Sequence, residues 1–353
     1  MPVKKKTTTK IPGTALRFVP TMEAKLVGTL PTERGWQYEP KWDGFRCEAL
    51  KDASGVKLFA KSGKRLDRYF PEIVALVAAL PARRCLLDGE LVIPLGGGLS
   101  FDALQMRLHP AESRIRKLSA ETPAAYVLFD LLVDDRQDWR TAPLAERRAA
   151  LETFAEISTL LPKALRTKRS SIAAVRLSPA TSRLAQAERW LDSSHGALDG
   201  LIAKRSDAPY VSGERAMLKF KRLRTADCVV GGFRYATDKH VVGSLLLGLY
   251  DADGKLNHVG FTSSIPKKER EALTRQLEPL REPPGFTGDA PGGPSRWSTE
   301  RSAQWEPLAP KLVVEVCYDH VSGDRFRHGT RLLRWRPDKA PRQCTFEQIG
   351  VQR

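Results

Sequence analysis

The stretch Lys41-Trp42-Asp43-Gly44-Phe45-Arg46 reads as K-x-D-G-x-R, a lysine set just before an Asp-Gly turn and an arginine. Lysine attacks phosphorus only as the free amine. Neighbouring cations lower its pKa, so a lysine at a strand end among other basic groups suits covalent catalysis. Gly44 permits close approach of backbone to a ligand, and Arg46 can grip a hydroxyl or a phosphate. Six such residues alone, however, also describe a solvated lysine beside a surface turn. The segments downstream decide between the two.

Asp88-Gly89-Glu90 closes one apolar run and Phe129-Asp130 lies in another. Asp199-Gly200-Leu201-Ile202-Ala203-Lys204 follows, then Lys219-Phe220-Lys221. Their order and spacing suit several strands converging on one pocket. Carboxylates serve a hard cation, an aromatic face serves a base, and lysines serve phosphate. Each has a plainer counterpart: Glu39 and Glu90 as surface acids, Phe129 as core, Lys219 and Lys221 as the solvated face of one strand. The ordered set outweighs these individually commoner roles.

In that order the segments resemble the covalent nucleotidyltransferases, and specifically the ATP-dependent DNA ligases. KWDGFR resembles the nucleophile motif, LLDGELV the third motif, YVLFDLL the next, DGLIAKR the fourth and LKFKR the fifth. RWRPDK at 334–339 resembles the last motif, carried in ligases and capping enzymes by an OB domain. The similarity runs from about Phe18 to Lys339, and YEPKWDGFR, RYFPE and RWRPDK are nearest to the compact bacterial LigC type and the ligase domain of LigD.

The resemblance implies a role for each matched residue. Lys41 attacks the α-phosphate of ATP and carries AMP; Lys219 and Lys221 are its catalytic partners and contact that phosphate. Glu39 takes the adenine-reading position, Arg46 and Glu90 hold the ribose and nearby phosphate, and Phe129 stacks on adenine with Ile202 on its other face. Glu90 and Asp199 are the expected ligands of Mg2+ (or Mn2+). Arg336, Asp338 and Lys339 orient the pyrophosphate leaving group, after which the OB domain swings away to clamp DNA. Asp199 stands where the family usually has Glu, one methylene longer. Lys61 in AKSGKRL stands where a DNA-contacting arginine is common, keeping the charge without the bidentate fork. Arg325, Arg327, Arg331 and Arg334 form a basic run expected to contact DNA.

The implied fold is α+β: a nucleotidyltransferase (adenylation) domain with antiparallel sheets and flanking helices, followed by an OB-fold β-barrel. The expected division is a basic flexible tail over 1–17, an adenylation domain over 18–222 and an OB-fold domain over 223–353. Residue patterning agrees. Trp36 to Leu50 and Val56 to Ala60 straddle the turn at Ala53-Ser54-Gly55, and Cys85 to Ile93, Ala125 to Val133 and Leu198 to Arg205 are compact runs, all expected strands. Pro71 to Leu80, Thr141 to Glu156 and Leu184 to Ser194 read as helices. After Arg222 come Gly-punctuated strands over Cys228 to Tyr235, Gly243 to Tyr250, Leu256 to Phe261 and Val313 to Tyr318, with a Pro- and Gly-rich loop over 281–310. Gly96-Gly97-Gly98 lacks the ending of a phosphate loop and reads as a hairpin tip.

Composition narrows the setting. The 353 residues carry a net charge of +17, which suits a polyanionic partner because each lysine or arginine on a phosphate releases counterions. No apolar stretch reaches membrane-spanning length and no apolar segment follows the basic start, so neither membrane nor secretory signal is expected. Five scattered cysteines and six histidines show no metal-ligand spacing, and reduced thiols in a cytoplasmic protein are expected. By the resemblance, the expected partner is nicked duplex DNA, the expected role DNA repair alongside a repair polymerase or end-binding protein, and the expected state a monomer. The competing functions are an RNA ligase, an mRNA-capping type nucleotidyltransferase, and a nucleic-acid-binding module with vestigial catalytic residues.

Overall fold

The computed structural model describes residues 16–158, 175–193, 198–292 and 303–353. Most of the basic tail, and part of the 281–310 loop, therefore lie outside the described residues. The chain divides into two compact units, Met1–Lys221 and Arg222–Arg353.

The first unit runs β1 (Ala24–Val27), β2 (Trp36–Lys41), β3 (Phe45–Asp52), β4 (Gly55–Ala60), α1 (Pro71–Ala78), β5 (Cys85–Val92), β6 (Pro94–Leu95), β7 (Gly98–Leu99), α2 (Phe101–Met106), α3 (Glu112–Glu121), β8 (Ala125–Val133), α4 (Leu144–Ser158), β9 (Val175–Leu177), α5 (Leu184–Ser193), β10 (Gly200–Arg205) and β11 (Met217–Phe220). Two sheets carry it, one in the order β1-β11-β10-β2 and the other β4-β3-β5-β8-β9. The run expected as one strand from Trp36 to Leu50 is instead two, and they belong to different sheets. The chain crosses over at Trp42-Asp43-Gly44, so Lys41 ends one sheet as Phe45 begins the other.

Gly44 explains part of that crossing: a Cβ there would land on the carbonyl oxygen of Leu91. The close approach expected between Gly44 and a ligand is thus made to a neighbouring strand. β8, with sequence AYVLFDLLV, is buried at every position, as a continuous apolar run in mid-sheet must be. Behind it Phe70, Ile73, Val77, Leu87, Leu128 and Leu151 pack α1 and α4 onto the sheet. Pro71 sits in the first turn of α1, where its missing N–H costs nothing. The helix expected from Thr141 starts at Leu144, after Pro143, whose carbonyl accepts from the Glu146 and Arg147 amides. Gly96 and Gly97, at φ of 61° and 81°, form the tip of the β6–β7 hairpin.

The second unit comprises β12 (Arg224–Tyr235), β13 (Val242–Tyr250), β14 (Leu256–Thr262), α6 (Arg270–Leu277), β15 (Glu306–Pro307), β16 (Val313–Tyr318), β17 (Val321–Ser322), β18 (Arg325–Phe326) and β19 (Arg331–Trp335). Its sheet runs β14-β13-β12-β16-β19, with β15 added to β12. Register shifts within β12–β13, β13–β14 and β16–β19 bend it. An isolated bridge, Thr262 to Thr330, brings the two ends together, so among the described residues closure rests on that bridge and not on a ladder. This is an OB-fold-type arrangement around Phe233, Leu245, Leu247, Val259 and Val314. Helices α2, α3 and α6 have no clear signature in the sequence, being short or strongly polar.

Candidate active site

The antiparallel pairing of β2 with β10 sets Lys41 opposite Gly200 and Glu39 opposite Ile202. Pairing of β10 with β11 sets Lys219 opposite Ile202. Directly opposed residues share a face, so Glu39, Ile202 and Lys219 form one row across the sheet. Lys41 ends β2, its ammonium in contact with the Asp199 carboxylate. The same carboxylate lies 3.4 Å from Lys221 Nζ, and the Asp199 amide donates to the Lys41 carbonyl at 3.1 Å. Gly200 makes this junction possible: its φ is +149° and a Cβ would strike the Phe220 carbonyl. Lys219 and Lys221 were expected on one strand face, but β11 ends at Phe220 and Lys221 lies just beyond it. Burial pulls the Lys219 ammonium below its ordinary pKa, and the charges of Lys41 and Lys221 act in the same direction.

Asp199, expected as a metal ligand, is therefore in this state the counter-ion of two lysines. Glu90 lies opposite Arg46 in the second sheet. Burial pushes its carboxyl up to about 8, against the pull of Arg46 and Lys41. No cluster of three or more His, Cys, Asp or Glu able to hold a metal occurs among the described residues. Mg2+ is usually held through one or two protein carboxylates and the substrate's own phosphates, a donor set that Glu90 and Asp199 suit by their chemistry.

Arg46 does not reach outward. Its Nε and Nη2 donate to the two oxygens of Asp88, both at 2.6 Å, and its guanidinium lies 4.4 Å from the Phe129 ring centre. The buried Asp88 also accepts from the Tyr210 hydroxyl at 2.7 Å. Lys204 Nζ lies 4.8 Å from the Phe129 ring centre and 2.9 Å from Glu39 Oε2. Phe129, expected as a base platform, thus has two cations against its ring. Ile202, expected opposite it, packs at the edge of the cluster around Leu50, Leu86 and Met217. Asp130, which looked available to a cation, is buried in a two-pronged pair with Arg147, at 2.8 and 3.0 Å.

Tyr210, Gln37 and Lys204 belong to the site without having been singled out by the sequence. Lys204 alone had a signal, lying in the DGLIAKR segment. Lys61 is exposed and sits 2.9 Å from Glu23, whose pKa it lowers through that hydrogen bond.

In the second unit the RWRPDK segment folds around Asp227, which the sequence did not single out. Arg336 Nη1 donates to Asp227 at 2.8 Å, while its Nε and Nη2 grip Asp338 at 2.9 and 2.8 Å. Lys339 Nζ is 3.7 Å from Asp227, and the hydrogen bonds from Arg336 hold the Asp338 carboxyl down at about 2. The basic run is not a single row: Arg325 lies on β18, Arg331 begins β19 and Arg327 falls between them. Arg334 pairs with Glu315 at 2.6 Å.

Comparison with known proteins identifies the family of both units. Residues 21–221 match the family described as the ATP dependent DNA ligase domain, and 238–339 match the ATP dependent DNA ligase C terminal region. The chain is 43% identical to DNA ligase C2 of Mycolicibacterium smegmatis, over 94% of each chain. It is 41% identical to DNA ligase C of Mycobacterium tuberculosis, over 94% of this chain and 93% of that protein. A solved structure from the Lig E DNA ligases shares the fold with a TM-score of 0.58 and 18% identity, covering 90% of this chain and all of that one. Motifs, fold and relatives converge: the chain belongs to the ATP-dependent DNA ligases.

Proposed function

We propose that this ATP-dependent DNA ligase seals nicks through AMP carried on Lys41. The observation that carries the assignment is the junction of Lys41, Asp199 and Lys221 at the end of β2, with Lys219 alongside. Lys41 Nζ, once it has shed a proton, attacks the α-phosphorus; the N–P bond forms and the bond to pyrophosphate breaks. The 5′-phosphate at the nick then attacks the same phosphorus, and Lys41 leaves and regains a proton. Finally the 3′-hydroxyl attacks the activated 5′-phosphorus and AMP departs. Lys219 and Lys221 offset the charge that develops on the α-phosphate.

Asp199 holds Lys41 in place until the triphosphate competes for the lysines. Glu90 and Asp199 would hold Mg2+ or Mn2+, which supplies further neutralisation of phosphate charge. Arg336, Asp338 and Lys339 orient the departing pyrophosphate, and Lys61 with Arg325, Arg327 and Arg331 contact the DNA backbone. A monomer acting in DNA repair in the cytoplasm, on ends delivered by a repair polymerase or end-binding protein, is the setting we assign.

Incubation with labelled ATP or GTP tests the mechanism. Lys41→Ala is expected to lose covalent AMP and all ATP-driven sealing; sealing at the normal rate, or labelling by GTP instead of ATP, overturns it. Arg336→Ala separates the steps. Enzyme-AMP formation should fall at least about tenfold, while joining of a pre-adenylated nick continues; equal loss of both refutes the leaving-group role. Nicked DNA run beside nicked RNA tests the preference for DNA.

A further inference from the structure

Arg336 and Lys339, the two cations assigned to the departing pyrophosphate, share one carboxylate, that of Asp227 near the start of β12. Its two oxygens are divided between them. Oδ1 accepts from Arg336 Nη1 at 2.8 Å, and Oδ2 lies 3.7 Å from Lys339 Nζ. Only 12% of the Asp227 side chain and 17% of the Arg336 side chain are exposed, so salt screens this contact less than it screens an open surface pair. Arg336 also grips Asp338, but that partner is two residues away on the same turn and moves with it. Asp227 is 109 residues away and sits on a strand. Its backbone is held as well. β16 pairs it with Glu315 on one side; on the other, the Gln348 side chain accepts from its N–H at 3.0 Å and donates to its carbonyl at 3.2 Å. The Gln348 amide thus fills the place of a neighbouring strand. A guanidinium held by Asp338 alone would keep its local shape and lose its tie to the sheet.

We infer that Asp227 is a positioning residue for the enzyme-AMP step, fixing the Arg336 guanidinium and the Lys339 ammonium to the sheet in one arrangement that is ready for pyrophosphate. The inference rests on the assignment of Arg336 and Lys339 to the leaving group. Pyrophosphate gains negative charge as its bond to the α-phosphorus breaks, and donors already in place stabilise that charge without reorganising. A long cationic side chain that must first be ordered gives back part of its benefit as lost rotamer freedom. Asp227 meets that cost during folding, before ATP arrives. It acts through the two cations and touches no substrate in this role. Sealing of a nick that already carries AMP releases no pyrophosphate, so that step does not call on Asp227.

The test follows single-turnover enzyme-AMP formation at saturating ATP, its reversal by added pyrophosphate, and sealing of a pre-adenylated nick, with thermal unfolding as the check on the fold. Asp227→Ala should slow enzyme-AMP formation at least about tenfold. Reversal should slow by the same factor, because both directions pass through one transition state. Sealing of the pre-adenylated nick should stay within about twofold of the native rate. Added to Arg336→Ala, the same change should cost much less than it does alone, since the chief group it positions is gone. A folded Asp227→Ala protein that forms enzyme-AMP at the native rate overturns the inference, and so does one that loses sealing of the pre-adenylated nick to the same extent. If that variant does not fold, Asp227→Asn keeps the size of the side chain and the backbone bonds to Gln348. It should show the same selective loss to a smaller degree; equal loss in every assay, or none, overturns the inference. Arg336→Ala separates the two levels. If it forms enzyme-AMP at the native rate, the leaving-group assignment falls and the inference with it; if it is slow while Asp227→Ala is not, only the role of Asp227 falls.

Discussion

The two units spend their charges differently. In the first, Arg147–Asp130, Arg46–Asp88, Arg107–Glu72 and Lys204–Glu39 each include at least one side chain almost wholly buried. In the second, the pairs Arg334–Glu315 and Arg336–Asp338 keep one partner more than 60% exposed. Its interior is mainly apolar, with uncharged Asn257, Thr262 and Thr330 buried in it, and burial keeps the His258 ring neutral, pushing its pKa down to about 3. A domain that recognises a nucleotide needs fixed polar groups inside it, each held by another. One that lays basic residues along a surface can leave its core to hydrocarbon.

Removal of one partner from a buried pair should therefore hurt the first unit far more than any equivalent change hurts the second. Arg147→Ala is the severest case, since it strands Asp130 and frees the carbonyls of Ala142 and Ala208. It should cost about 3–5 kcal/mol in urea unfolding, and a loss under about 1 kcal/mol breaks the contrast.

Glu48 gives a smaller effect with a defined pH window. It is buried, Oε1 accepts from the Val19 amide at 2.9 Å, Oε2 has no partner, and burial lifts the carboxyl to about 8. A raised carboxyl binds its proton more tightly folded than unfolded, so its contribution is fullest below the ordinary carboxyl pKa. That contribution is lost as pH rises towards about 8. Glu48→Gln should gain stability over the native protein as pH climbs from about 5 to about 8, by on the order of 2 kcal/mol. Thermal unfolding of both proteins at several pH values checks this, and a pH-independent difference refutes it. Arg334→Ala in the second unit should change unfolding by less than about 1 kcal/mol; a larger loss would show that its surface pairs do structural work.

Much of this protein is legible in its residues alone. The order of KWDGFR, LLDGELV, DGLIAKR and LKFKR groups Lys41, Glu90, Asp199 and Lys219 as an expected nucleotide site, and the structure sets Lys41 and Lys221 against Asp199. The runs at 85–93, 125–133 and 313–318 correspond to β5, β8 and β16 within a residue at either end. Side-chain alternation along a strand is local, so sequence spacing alone assigns a residue to a face. What spacing cannot say is which strand lies alongside, or where a long side chain ends. Tertiary pairing decided that Arg46 turns onto Asp88 and Phe129, that Asp199 answers Lys41 and Lys221, and that Asp130 belongs to Arg147. It also drew Arg336 to Asp227, 109 residues away in sequence. The sequence determined which residues form one ordered set of motifs; only the fold, by bringing distant charges together in a poorly solvated interior, decided what each of them holds.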